Sequence, residues 1–145
     1  MPFIYLVVPA IAVLIAQLTK IFIPRNRLRF SLRNLIAYSG MPSSHAALTL
    51  SLATIIGLRH GFDSPVFALA IFVAFLALRD AVGIRQYIGK QGKVLNELVD
   101  ELNNDEFLDD TYPRMREKVG HTPAQLLAGS AIGAIVACIA YLFTL

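Results

Sequence analysis

Four predominantly apolar stretches, Ile4–Ile23, Ser43–Leu58, Pro65–Leu78 and Thr122–Leu145, occupy most of this chain and push its charged side chains into the segments between them. A helix rising about 1.5 Å per residue needs roughly 20 apolar residues to cross the hydrocarbon core of a bilayer. The first and last stretches reach that length, and the two shorter ones reach it with flanking residues. The pattern predicts an all-α integral membrane bundle of about four transmembrane helices, forming a single domain over residues 1–145. A hydrophobic fraction of 56% against 16% charged residues supports the same class.

Charge gives the chain a direction. Of its 13 Lys and Arg side chains, Lys20–Arg33 holds five and Arg79–Lys118 seven, against Arg59 alone on the other side. Cytoplasmic loops collect such residues, so both termini are expected outside the inner membrane and the two basic loops inside. The first apolar stretch lacks a basic leader and a small-residue cleavage site, and reads as a retained span. Cys138, the single cysteine, leaves no intrachain disulfide and is expected to pack within the last span.

The connecting segments differ in texture. Pro24–Tyr38 carries Arg25, Arg27, Arg29 and Arg33, as a stop-transfer loop touching anionic headgroups would. Within Gly83–Gly120, Val94, Leu95, Leu98, Val99 and Leu102 recur at helical spacing beside charged residues, predicting an amphipathic interfacial helix. Its acidic run, from Glu97 through Asp110, lacks the spacing and turn glycine of a calcium loop and reads as a solvated face. Gly129 and Gly133 form a small-xxx-small pair that packs helices inside the bundle or, in an oligomer, between copies. No glycine-rich nucleotide loop is present, and topology accounts for the basic charge, so nucleic acid is not an expected partner.

A set of polar groups remains that a membrane protein does not place idly. Lys20 ends the first span and Arg27 follows it; Ser43-Ser44-His45 opens the second; Arg79-Asp80 and Arg85 close the third; His121-Thr122-Pro123 opens the fourth. All fall at one face. Two of these helices begin there, and helix N-termini offer unpaired N–H groups that bind anions. Lys20, Arg27 and one or both of Arg79 and Arg85 would neutralise a phosphate and the charge that develops as it is transferred. Histidine titrates near neutrality, so one imidazole can attack phosphorus while the other protonates the leaving oxygen. Taken singly, each histidine reads more readily as a cap or a satisfied polar contact; the convergence with cations reverses that reading.

The order Lys20-x6-Arg27, Pro42-Ser43-Ser44-His45 and a late His121 resembles the type-2 phosphatidic acid phosphatase superfamily, which includes the vanadium haloperoxidases. The segments Gly40–Ala46, Arg79–Arg85, Gly89-Lys90-Gln91, Leu95-Asn96 and Gly120–Pro123 resemble its divergent, small membrane branch. The resemblance implies His121 as nucleophile through a phosphohistidine and His45 as general acid. It also implies phosphate binding by Lys20, Arg27 and an arginine near the third motif, Arg79 or Arg85, with no metal or other cofactor; Ser43 and Ser44, at the helix start, are the further phosphate-binding candidates. Leu28 and Ser44 replace a proline and a glycine of the motifs, and Gln125 stands where the family has an acid after the last histidine. Asp80 and Gln125 are the candidates to orient a histidine. The expected activity is hydrolysis of a lipid phosphate or pyrophosphate held among membrane lipids. The alternatives are a phosphate-binding module without turnover and a small transporter component. Generic apolar tail surface leaves phosphatidic acid, phosphatidylglycerophosphate and prenyl pyrophosphates equally open.

Overall fold

A computed structural model of the chain describes residues 3–23, 40–104, 114–117 and 119–144. Arg27, the rest of the arginine-rich loop, and the acidic residues from Asp105 to Asp110 lie outside them. The described regular elements are all helical: α1 (Ile4–Phe22), α2 (Ser44–His60), α3 (Pro65–Val82), α4 (Ile84–Asn104) and α5 (Pro123–Leu142). Local chemistry sets their starts. The Ser43 and Ser64 hydroxyls accept from Ala46 N and Phe67 N, satisfying N–H groups that a helix start leaves unpaired. Thr122 and Gln125 form a reciprocal capping box with Pro123 at the first helical position. At the other end of α2, Gly61 adopts a left-handed φ of 88° and returns its N–H to Gly57 O.

Among the described residues, three apolar helical stretches are long enough to cross a bilayer: α1, the α3–α4 run Pro65–Leu102, and α5. The remaining expected span is α2, with 17 residues, and it is shorter and more polar for a reason visible in the packing. It lies at the centre of the bundle, against α5 most extensively and then α1 and α3. Its Ala46, Ala47, Ser51, Ala53 and Gly57 are buried in protein, so it presents little surface to lipid. By contrast, α3 buries only Ala74 and Ala81 and exposes Leu69, Phe72, Phe75 and Leu76, as a lipid-facing helix should.

Small residues draw the helices together. A Cβ on Gly129 or Gly133 would collide with the backbone oxygens of Ser43 and Ala47 respectively, so the glycine pair packs within the bundle, along the α2–α5 seam. Alanines fill the adjoining core: Ala12, Ala16 and Ala47 in one cluster, Ala46 and Ala81 with Leu126 in another. Cys138, expected to pack, is instead exposed, one position past the fully buried Ala137. Successive helix positions turn by about 100°, which carries it off the α2-facing stripe.

Helix α4 is amphipathic as predicted, with a third face that the apolar pattern did not reveal. Ile84, Tyr87, Ile88, Val94, Leu95 and Leu98 are exposed along one side. Lys93, Glu97 and Asp100 occupy a solvated side, where Glu97 pairs with Lys93 and Asp100 with Arg114. The third side consists of Gly89, Gly92 and Asn96, and it receives the returning chain at Met115, Arg116, Glu117 and Val119.

Candidate active site

The antiparallel helices bring the end of α1, the starts of α2 and α5 and the end of α3 to one face of the bundle. Two backbone bonds join these ends: Ser43 N–H donates to Gln125 O at 3.0 Å, and His121 N–H donates to Ala81 O at 3.0 Å. His45, in the first turn of α2, and His121, just before α5, consequently stand with ring centroids 6.1 Å apart and planes inclined at 54°. Lys20 is buried to 2% exposure at the end of α1, and its charge and that of Arg85 act on both imidazoles.

His121 is the more constrained ring. Its Nδ1 lies 3.3 Å from Gln125 Oε1, and the same oxygen accepts the Thr122 N–H at 2.9 Å. The Thr122 donor fixes which end of the amide faces inward, and a carbonyl oxygen can only accept. His121 must therefore carry its proton on Nδ1, leaving the Nε2 lone pair free. Burial holds this imidazole below the ordinary histidine value of 6.5; the Gln125 hydrogen bond opposes that effect, and the charges of Lys20, His45 and Arg85 reinforce it. His121 is thus neutral at neutral pH.

The remaining sequence candidates sort by position. Ser43 is fully buried and serves as the α2 N-cap. Ser44 Oγ is buried and has no hydrogen-bond partner among the described residues. Asp80 engages Arg85 at 2.6 Å, so among the described residues its carboxylate holds the arginine, whereas Gln125 is the group on His121. Both members of that ion pair are more than a third exposed, which limits its value to under about 1 kcal/mol. Arg79 is exposed, and it does not figure among the charges acting on either histidine, so Arg85 is the arginine the fold delivers to this face. Arg27 lies outside the described residues.

Sequence reasoning missed the apparatus that holds His121 in place. Gln86 Nε2 donates to His121 O at 2.6 Å, and Gly120 makes the turn before it at a φ of 89°. Further back, the buried Asn96 side chain pairs with Met115 like a strand neighbour: its Oδ1 accepts Met115 N–H at 2.8 Å and its Nδ2 donates to Met115 O at 3.0 Å. Gly89 and Gly92 leave room for the carbonyls of Glu117 and Arg116. Their i, i+3, i+7 spacing was the available signal, since it puts two glycines and a buried amide on one helix face.

Fold and site together define a small α-helical membrane protein with two facing histidines and cations gathered where the helix ends meet. The chain belongs to the Divergent PAP2 family, whose model matches residues 4–136. It is similar to the uncharacterized membrane protein YuiD of Bacillus subtilis strain 168, at 33% identity over 147 residues covering 91% of this chain and 90% of the relative. No solved structure gives a significant match.

Proposed function

We propose that the protein is a membrane phosphatase that hydrolyses a lipid phosphate or pyrophosphate through a phosphohistidine. The observation that carries this reading is the His45–His121 pair, 6.1 Å apart, under the charges of Lys20 and Arg85. Reacting atoms approach to about 3–3.5 Å before transfer, so a phosphoryl group between the rings can meet one on each side. Lys20, Arg85, the Ser44 hydroxyl and the free N–H groups at the α2 start bind its oxygens; Arg27 is a further candidate. His121 Nε2 attacks phosphorus as the bond to the lipid oxygen breaks, and His45, which the negative charge of the bound phosphate favours in its imidazolium form, gives its proton to that oxygen. Water then attacks the phosphohistidine, leaving a proton on His45 and releasing inorganic phosphate. The twelve Lys and Arg within Lys20–Arg33 and Arg79–Lys118, against Arg59 alone elsewhere, support placement of this face in the cytoplasm, with both termini outside.

Gln125 favours a second reading, phosphate binding without turnover, because a neutral amide stabilises an imidazolium less than a carboxylate does. Phosphate release from lipid phosphates by purified protein, run beside His121→Ala, separates the two. Release that disappears in the variant supports the enzyme; tight vanadate binding with no release supports the binder.

A further inference from the structure

Among the described residues, three buried side-chain atoms have no hydrogen-bond partner: Gln17 Oε1, Ser44 Oγ and Arg59 Nε. Arg59 belongs to the opposite end of α2, where its Nη2 donates to Thr144 O. The other two lie on the helix ends that form the histidine site. A buried, unpaired amide oxygen costs about 1–3 kcal/mol, and nothing in the packing of a lipid-crossing helix requires one. Gln17 sits between the fully buried Ala16 and Lys20 on α1, whose neighbouring positions are otherwise apolar or hydroxyl-bearing.

We propose that Gln17 recognises a free hydroxyl on the substrate's linker, just beyond the phosphate, and so selects hydroxyl-bearing glycerol phosphates over phosphates joined directly to a hydrocarbon chain. This rests on the phosphatase reading of the site. Residues three apart on a helix have Cβ atoms about 5–6 Å from each other, so Gln17 neighbours Lys20 on the helix surface. It lies one turn further from the α1 end, about 4.5 Å along the axis. A phosphate held by Lys20 with its tail running down between the helices therefore places its first linker carbons beside Gln17. A carbonyl oxygen accepts and cannot donate, so a hydroxyl completes it where a methylene chain leaves it unpaired. Generic apolar contact cannot distinguish these linkers; one buried acceptor can.

The test uses the full-length protein in one detergent and two single-chain phosphates of equal length, one with a glycerol linker bearing a free hydroxyl and one a plain alkyl phosphate. Isothermal titration should show wild type binding the hydroxylated lipid roughly five- to tenfold more tightly, the range of one hydrogen bond. In Gln17→Met, similar in shape and a good helix former, the ratio should collapse to about one. Because the substitution removes an unpaired buried oxygen, its melting temperature should hold or rise. A wild-type ratio of one, or a ratio that survives in Gln17→Met, overturns the inference. Phosphate release from both lipids is followed in parallel: the binding ratio without any release supports the recognition while sinking the phosphatase reading, and release with a ratio of one does the reverse.

Discussion

Gln125→Glu changes the charge beside the proposed nucleophile while altering little else. Glutamate fills the same place in a capping box as glutamine, so the bond from Thr122 N–H and the start of α5 should survive, with stability changed by less than about 1 kcal/mol. The new carboxylate would lie where Oε1 now stands, 3.3 Å from His121 Nδ1. An opposite charge at that range raises the pH at which a group holds its proton by about 1–3 units, and burial makes a value of about 2 reasonable here. In the wild type, burial keeps His121 below 6.5, so its attacking form is fully populated at neutral pH and is lost only as pH falls beneath that value. In Gln125→Glu the acid limb of kcat/KM should move upward by the same amount. Above the limb, the carboxylate stabilises the imidazolium character that develops on attack; if half of the interaction is expressed in the transition state, turnover rises about tenfold. The assay is a pH–rate profile on a lipid phosphate from pH 5 to 9 for both proteins. An acid limb that does not move, in a variant with unchanged melting behaviour, refutes the coupling of Gln125 to the nucleophile.

The other expectations are briefer. His45→Ala should lose much more activity on a lipid phosphate than on an activated aryl phosphate, which needs less acid assistance, while His121→Ala should lose both; equal losses for His45→Ala remove its general-acid role. Gly129→Val should destabilise the protein by about 1–3 kcal/mol and weaken vanadate binding, since its Cβ drives against Ser43 O and parts the two helix starts; an unchanged melting temperature would contradict the seam. Asn96→Ala should leave Met115 N–H unpaired at a cost of about 1–3 kcal/mol and lower kcat more than vanadate affinity, because it loosens the chain leading to His121 but not Lys20 or Arg85. In a Cys138→Ala background, cysteines introduced at Lys90 and Lys93 should react with impermeant reagent only from the cytoplasmic side; labelling from outside reverses the proposed orientation.

Much of the architecture is written in local chemistry. The length of the apolar stretches, the Ser43, Ser64 and Thr122 caps and the glycine after α2 each act within a turn of helix, so they can be read without knowing what packs where. His45, His121 and Lys20 were legible as a group for a related reason: an alternating up-and-down chain brings every second helix junction to the same face. Which arginine reaches that face was not legible. Arg79 and Arg85 flank the break at Gly83, and the direction α4 takes after it sends Arg85 toward the histidines and leaves Arg79 exposed. The central place of α2 was hidden as well, because its small and polar residues lower its apparent fitness as a span and acquire meaning only against Gly129 and Gly133 of α5. Asn96 and Gln86 reach across 19 and 35 residues of chain to fix the approach to His121. Sequence periodicity reports the side of a helix a residue occupies; which backbone comes to meet that side is decided by contacts distant in the chain, and the tertiary structure alone supplies them.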